Sequence, residues 1–248
     1  MNRVYKINVT STQTPFTPRQ RRRQATLSRI LDSAIDLVVD GGFDALSMGR
    51  LADQLDYTAG ALYRYYPGKD ALIAAMTARV IHGFADVLDR VAGLVPEDAH
   101  LERVVILPLA WRDLAHAAPQ RFGLLSMLLA DPRMLVEDDS EAAPAMEAIL
   151  RALAPVATAL DRAGDAGALT LQASAVEHAV ATFGAVHGVM QLRKQRARVP
   201  DLFDLDGIVA LALRGLLLGW GADPAALDAA FQTITTRGDL VAAAGGMT

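Results

Sequence analysis

The chain has 248 residues, of which 52% are hydrophobic, and its net charge is −4. It contains no cysteine, which excludes disulfides and thiolate metal sites. Residues 1–70 carry 10 Lys and Arg against 7 Asp and Glu, whereas the remainder carries 14 against 21. A basic end on an acidic body indicates a local site for a polyanion, not a general affinity for nucleic acid.

Alanine and leucine are abundant, and alternating β-branched runs are scarce, so the sequence predicts an all-α protein. Residues 1–16 are polar and aperiodic, and we expect a disordered arm there, without a signal peptide. The longest apolar run near the end, residues 208–220, is too short for a membrane span and contains Arg214. The expected location is therefore the cytoplasm.

The first predicted helix begins at Thr17, a capping residue, and Pro18 suits its first turn. An apolar stripe follows from Leu27, and glycines 41 and 42 stop the helix. Its start carries a basic cluster, which is either a solvated face or a contact with DNA, as an arm along the backbone or in a minor groove. The cluster consists of Arg19, Arg21, Arg22 and Arg23.

Two short helices follow, separated by about three residues. Ser47 is a good N-cap for the first of them, which ends near Asp56. Thr58 can cap the second, from Ala59 to about Tyr66, before Pro67 and Gly68 interrupt the chain. This spacing is typical of a helix-turn-helix, which lays its second helix in the major groove of DNA.

The second short helix carries an unusual set of side chains. Leu62 and Tyr66 are four residues apart and are expected to share the inward face. The residues between them fall on other faces, where tyrosine hydroxyls can donate to phosphates and Arg64 can reach a base edge or the backbone. Lys69 lies in the first turn of the next helix, where free N–H groups favour an anion.

Residues 41–76, GGFDALSMGRLADQLDYTAGALYRYYPGKDALIAAM, resemble the DNA-binding domain of TetR-family transcriptional regulators. The positions that match the family pattern are Gly42, Phe43, Ser47, Leu51, Ala52, Thr58, Leu62, Tyr63, Tyr65, Lys69 and Leu72. The resemblance implies a three-helix DNA-binding domain, here residues 17–70, followed by a helical domain for ligand binding and dimerisation, here residues 71–248. It covers about the first quarter of the chain.

The resemblance also implies roles for individual residues. Contacts with the DNA backbone are expected from Thr58, Tyr63, Tyr65 and Lys69, with Ser47 as a further phosphate ligand. Base edges are expected to be read by Ala59, Gly60 and Arg64. Two positions depart from the family pattern, because Asp56 stands where a turn glycine is usual and Tyr66 where a phenylalanine is usual. We expect the turn at Asp56 to be strained or slightly reshaped. The hydroxyl of Tyr66 is expected to find a partner or to reach solvent.

The remainder of the chain is predicted to be helical over residues 98–117, 119–130, 141–163, 168–198, 203–220 and 223–237. Pro108, Pro144 and Pro155 predict kinks or breaks. The helices over 168–198 and 203–220 are apolar along most of their faces, so a partner surface is expected. In the TetR family such helices pair in a four-helix dimer bundle, and the dimer reads a palindromic operator.

A largely apolar effector pocket between these helices is the default sensing site. The segment ATFGAVHGVMQL, residues 181–192, resembles one found near the pocket and dimer interface in a branch of the family. Core packing is the alternative role for each candidate, and for His187 also an interface position. The pocket candidates are Trp111, His116, Phe122, Met127, His178, Phe183 and His187.

The sequence thus predicts a ligand-responsive repressor that acts as a homodimer on DNA, with no cofactor and no metal. A DNA-bound interaction protein without an effector has the same first domain and stays open; a side-chain-filled second domain would favour it. A helical enzyme is the remaining alternative. Its only support is the acidic segment EDDSE, residues 137–141, which lacks a repeated metal-diphosphate spacing and is predicted to be a loop.

Overall fold

The computed structural model describes residues 17–130, 136 and 139–236, and the predicted arm over residues 1–16 lies outside them. The described residues form α-helices and one short 3₁₀ helix, Phe43–Ala45, and contain no strand. The all-α prediction is confirmed. The helices are α1 (Pro18–Gly41), α2 (Met48–Gln54), α3 (Ala59–Leu62), α4 (Lys69–Ala92), α5 (His100–Ala117), α6 (Pro119–Ala130), α7 (Asp139–Asp165), α8 (Ala175–Met190), α9 (Arg193–Arg196), α10 (Leu205–Gly219) and α11 (Pro224–Thr235).

Side-chain caps start the first three helices where the sequence predicts them. Thr17 and Gln20 form a capping box at α1. The hydroxyl of Ser47 accepts from Arg50 N at 3.2 Å, and that of Thr58 accepts from Ala61 N at 3.2 Å. Each cap satisfies a backbone N–H that the helix itself leaves without a partner. The caps therefore fix where α2 and α3 begin and hold the helix-turn-helix in shape.

Helix α3 is shorter than predicted. It ends at Leu62, and the chain continues as a turn in which the N–H groups of Tyr65 and Tyr66 both donate to the Leu62 carbonyl. The turn is tightened by the proline that follows, because the residue before a proline avoids the helical region. The inward-facing pair is nonetheless as predicted, since Leu62 and Tyr66 are both buried.

The turn between α2 and α3 depends on Asp56. This residue has φ +56°, and it is the one non-glycine residue with positive φ among the described residues. Tyr57 N donates to Ala52 O at 2.9 Å and Asp56 N to Asp53 O at 3.3 Å, which is the Schellman arrangement at a helix end. That arrangement needs a left-handed residue, usually glycine, at the position that Asp56 occupies.

Helix α4 runs through the centre of the fold. It buries side chains along nearly its whole length, from Leu72 to Val91. It packs against α1 near its start and against α5 and α7 further along. Helices α8, α10 and α11 complete the larger part of the protein around α5. The small N-terminal part and the larger part therefore share one continuous helix.

The structure corrects three predicted elements. The predicted helix over 168–198 is a loop up to Ser174, then α8, then the separate short helix α9, because a capping box of Ser174 and Glu177 starts α8 there. Helix α7 begins at Asp139, so part of the predicted acidic loop is helical, as suits carboxylates near a helix N-terminus. The prolines at 108, 144 and 155 lie inside α5 and α7, so the predicted breaks are wrong, while the predicted kinks stay a prediction.

Two of the described helices, α4 and α7, are long and apolar enough to cross a membrane. The most apolar stretches of the two helices are 61% and 33% buried inside the fold. Core helices of soluble proteins have the same length and composition, so this feature is weak evidence for a membrane segment and does not indicate one here.

Replacing Asp56 with glycine should stabilise the protein, because glycine adopts the left-handed conformation without a Cβ clash. We expect the free energy of unfolding to rise by about 0.5 to 1 kcal/mol, less than the full left-handed penalty because Asp tolerates this region better than most residues. Urea denaturation followed by circular dichroism measures this free energy of unfolding. The matched control, Asp53→Gly inside α2, should lower the stability, and an Asp56→Gly protein no more stable than the parent would contradict the assigned strain.

Candidate DNA-binding surface and effector cavity

The start of α3 and the turn after it present most of the predicted DNA contacts to solvent. Thr58, Ala59, Gly60 and Arg64 are exposed. Tyr63 is 50% exposed, which is unusual for a tyrosine next to the buried Leu62. A Cβ added at Gly60 would meet no neighbouring atom within 4 Å in the part of the chain that the structure describes. This surface is therefore open to a close approach by a second molecule.

The basic cluster near the start of α1 belongs to a helix and not to an extended arm. Arg19, Arg21 and Arg22 are exposed there. The guanidinium of Arg23 lies 5.4 Å from the centre of the Tyr65 ring, a cation–π contact between α1 and the turn after α3. The contact joins the basic face of α1 to the predicted DNA-binding surface. It also gives half-buried Tyr65 a packing role beside its predicted phosphate contact.

Lys69 has an internal partner that the sequence did not reveal. Its Nζ donates to the carbonyl oxygen of Phe43 at 3.1 Å, 26 residues earlier in the chain. The bond ties the first residue of α4 to the 3₁₀ turn between α1 and α2. An ammonium group carries three donors, so two remain for the predicted phosphate contact.

Further polar contacts fix α4 against α1. Arg79 on α4 pairs with Asp32 at 2.8 Å and donates to the Ser28 hydroxyl at 3.1 Å. Burial raises the pKa of the nearby Tyr66 hydroxyl, and the positive charge of Arg79 partly offsets this effect. The contacts of Lys69 and Arg79, at two separate turns of α4, thus hold the N-terminal part that carries the predicted DNA-binding surface against this helix.

An apolar cavity of about 200 Å³ lies among α4, α5, α6, α7 and α8. Two of the predicted pocket residues, Trp111 and Phe183, line it. Most of its wall consists of aliphatic residues that the sequence analysis did not single out, because nothing distinguishes them from other core residues in the sequence. Examples are Ile81, Leu88, Leu107, Leu125, Leu129, Ile149, Leu153, Val156 and Val186.

A chain of aromatic rings lies against one wall of the cavity. The centres of the Trp111 and Phe183 rings are 4.9 Å apart. The ring of His187 stacks on Phe183 at 5.1 Å and lies 4.8 Å from Phe122. The guanidinium of Arg193 covers the outer side of Phe122 at 4.7 Å. Phe122 and His187, both predicted pocket residues, therefore lie directly behind the wall instead of on it.

His187 is a buried polar group without visible compensation. It is 4% exposed, and neither ring nitrogen has a hydrogen-bond partner in the described part of the chain. Burial, with the positive charge of Arg193 adding to it, lowers the pKa of His187 from 6.5 to about 4. The ring is therefore neutral at pH 7, with one donor and one acceptor. The indole Nε1–H of Trp111 is likewise buried without a partner in the described residues.

The other predicted pocket residues lie elsewhere. His178 contacts the Trp220 ring at 4.6 Å, and its Nδ1 is 2.9 Å from the Ser174 carbonyl oxygen. His116 lies 3.1 Å from the Asp206 carboxylate and so links α5 to α10. Met127 lines a separate cleft on the other side of α6, beside Arg193. The structure does not bring these three residues to the apolar cavity.

Comparison with known proteins identifies relatives of the N-terminal part. The profile of the family described as bacterial regulatory proteins, tetR family, matches residues 30–76. The HTH-type transcriptional repressor KstR of Mycobacterium tuberculosis is 34% identical over 95 residues, which are 38% of this chain but only 42% of that repressor. An uncharacterised HTH-type transcriptional regulator of the same organism, Rv0681, is 30% identical over 189 residues, 75% of this chain and 78% of the relative.

The fold as a whole also has solved relatives. SmeT, the repressor of the Stenotrophomonas maltophilia multidrug efflux pump SmeDEF, superposes with a TM-score of 0.57 and 24% sequence identity. The superposition covers 82% of this chain and 93% of SmeT. A complex of SmeT with triclosan has also been solved. At this identity the likeness shows a shared fold.

The lowered pKa of His187 predicts a pH-dependent stability. Between pH 6.5 and about 4 the folded protein binds fewer protons than the unfolded chain, because His187 stays neutral only when folded. The contribution of His187 to the free energy of unfolding is therefore complete above pH 6.5 and is lost as the pH falls toward 4. Between pH 7.5 and pH 4.5 the parent should lose about 2 kcal/mol more than His187→Phe. Urea denaturation of both proteins at the two pH values measures their free energies of unfolding. A difference between parent and variant that is the same at both pH values would contradict the assigned pKa.

Proposed function

The chain belongs to the TetR family of bacterial transcriptional regulators, and we propose that it is a homodimeric repressor that leaves a palindromic operator when a small molecule occupies the apolar cavity. The observation that carries the proposal is the pairing of two features on one helix. At its start α4 holds the exposed predicted DNA-binding surface, and further along its side chains Ile81 and Leu88 line the cavity. In this role the protein acts in the cytoplasm.

The proposed DNA contacts divide into two groups. Tyr63, Tyr65 and Lys69, with the hydroxyls of Thr58 and Ser47, hold phosphates and set the register. The exposed edge formed by Ala59, Gly60 and Arg64 faces the bases. The small side chains at 59 and 60 let the backbone approach the groove floor, while Arg64 has the length and the paired donors that guanine recognises. The basic face of α1 adds contacts to the backbone.

The proposed dimer interface is an exposed apolar face on α8 and α10. Its side chains are small or aliphatic and recur every three or four residues, on α8 at Val176, Val180, Gly184 and Gly188, and on α10 at Leu211, Gly215, Leu218 and Gly219. Among the described residues, a Cβ added at any of these four glycines would meet no neighbouring atom within 4 Å. The fold of one subunit therefore does not need glycine there, whereas a closely packed helix from a second subunit does.

The effector part of the proposal is supported by the cavity. Its volume of about 200 Å³ is far more than a packed core leaves between side chains. In addition, SmeT, which has the same fold, forms a complex with triclosan. A DNA-bound interaction protein without an effector would have that space filled. A regulator needs only that the effector binds one dimer geometry more tightly, by about 1 to 3 kcal/mol.

Arg64→Ala should weaken binding to the operator while leaving binding to unrelated DNA unchanged. The loss of one base contact in each subunit is expected to cost about 1 to 3 kcal/mol per half-site. Fluorescence anisotropy with the upstream DNA of the protein's own gene and with a shuffled fragment measures both affinities. Arg90→Ala, an exposed arginine in the last turn of α4, is the matched control and should change neither.

Equal losses on both fragments, with a shallower salt dependence, would instead assign Arg64 to the phosphates, because each lost phosphate contact lowers the slope by about 0.9. Unchanged binding to every fragment would remove Arg64 from the interface.

Leu211→Arg should convert the dimer into monomers. Leu211 is 71% exposed in a single chain, and burying an arginine against its symmetry mate would place two unpaired charges in an apolar contact. Light scattering after gel filtration measures the mass. Leu150→Arg on α7, where the leucine is 54% exposed, is the matched control and should stay dimeric. A dimer in both variants would place the interface elsewhere.

A further inference from the structure

We infer that the effector is an uncharged, largely apolar molecule of about the size of one substituted ring, with a single hydroxyl group that is bound between Trp111 and His187. The inference rests on the proposed function, in that it treats the cavity as the sensing site. It goes further by naming the chemical class of the effector and the atoms that recognise its polar end.

The lining of the cavity disfavours a charged group in its interior. No charged side chain lines it in the described part of the chain. Its one hydroxyl, on Thr182, already donates to the carbonyl oxygen of His178 at 2.8 Å. A carboxylate or an ammonium group that entered would lose its hydration without gaining a partner, which costs far more than apolar contacts return. The body of the effector must therefore be neutral and apolar.

The volume limits the effector to a small molecule. An apolar cavity of about 150 Å³ accepts benzene, and the cavity here is about 200 Å³. One ring with a short substituent fits this space without displacing the helices. On the α5 side the wall is formed in part by Pro108 and Trp111, which lie one turn apart on the same buried helix. A much larger ligand would have to move a helix in order to enter.

The polar end is assigned from buried nitrogen atoms that have no partner. Native proteins leave few buried polar atoms without a hydrogen bond, yet Trp111 Nε1 and both nitrogens of His187 are in this state among the described residues. These two rings are neighbours, with centres 6.3 Å apart. We place the hydroxyl oxygen of the effector between these two rings. His100 Nδ1 and Ser126 Oγ are also buried without a partner among the described residues. Trp111 and His187 differ in that their rings are neighbours, and we assign their unpartnered nitrogens to a recognition site.

The donors and acceptors at this place match a hydroxyl group. The indole N–H of Trp111 only donates, whereas the neutral ring of His187 offers one acceptor nitrogen. A hydroxyl oxygen can accept from Trp111 and donate to His187 at the same time. A methyl group in the same position can do neither, and a carboxylate finds no positive partner on the wall. The ring of Phe183 lies between the cavity and His187 and is half-buried, so the proposal requires this ring to turn when the hydroxyl binds.

Three probes of one shape test the assignment by isothermal titration at pH 7.5. They are 4-ethylphenol with a hydroxyl, 4-ethyltoluene with a methyl in its place, and 4-ethylbenzoate with a charge. The parent protein should bind the phenol and not the benzoate. In His187→Phe the affinity ratio of phenol to toluene should fall about tenfold, the value of one buried hydrogen bond, while 4-ethyltoluene binds within about threefold of its affinity for the parent.

The control His178→Phe changes another buried histidine of α8 that contacts Trp220 and not the cavity, and it should keep the ratio of the parent. His187→Leu repeats the test in case phenylalanine overfills the site. An unchanged ratio in both His187 variants overturns the inference, as does binding of the benzoate as tightly as the phenol, or no binding of the phenol up to its solubility limit.

Anisotropy on the upstream DNA separates this inference from the proposed function. A protein that binds that DNA but neither the phenol nor the toluene contradicts the effector class and leaves the regulator intact. A protein that shows the expected probe ratios but does not bind DNA supports the recognition site and contradicts the regulator.

Discussion

The continuity of α4 is the constraint on which the rest of the structure depends. Its first residue, Lys69, is bonded to Phe43 in the turn before α2, and Arg79, almost three turns later, is bonded to α1. Ile81 follows within one turn and already lines the cavity. An uninterrupted helix transmits a displacement along its axis instead of absorbing it. The DNA-binding part is therefore held by the same element that a molecule in the cavity would push against.

The cavity wall lowers the stability of the fold, a cost that the proposed sensing function would explain. Filling the space beside Trp111 with a larger side chain, or replacing His187 with an apolar one, would improve the core of an isolated protein. The chain keeps an apolar void and three unpaired nitrogens at one place instead. Departures from good local packing concentrate at functional sites, and the strained turn at Asp56, next to the predicted DNA-binding surface, is a second departure of this kind.

Local rules made the DNA-binding part predictable from the sequence. The caps at Thr17, Ser47 and Thr58 depend on residues within a few positions of one another, so the sequence revealed them directly. The turn at Asp56 was expected from the resemblance to the TetR family, in which a glycine is usual there. The contacts of Lys69 with Phe43 and of Arg23 with Tyr65 join distant segments and were not visible. The cavity was more difficult to predict from the sequence, because the aliphatic residues that line it do not differ from those of a filled hydrophobic core. Trp111 was chosen for its size and Phe183 for the resemblance of residues 181–192 to a segment of the family. His116 and His178 share the imidazole chemistry of His187 but lie away from the cavity.

Selection of bound fragments from random duplex DNA by the purified protein, followed by sequencing, tests the central claim most directly. A homodimer that reads DNA through α3 should enrich a palindrome whose half-sites lie about one helical turn, roughly 10 base pairs or somewhat more, apart. The Arg64→Ala protein should lose the preference at one position in each half-site. Enrichment of no sequence at low salt, or of a single half-site without its symmetric partner, would contradict the account.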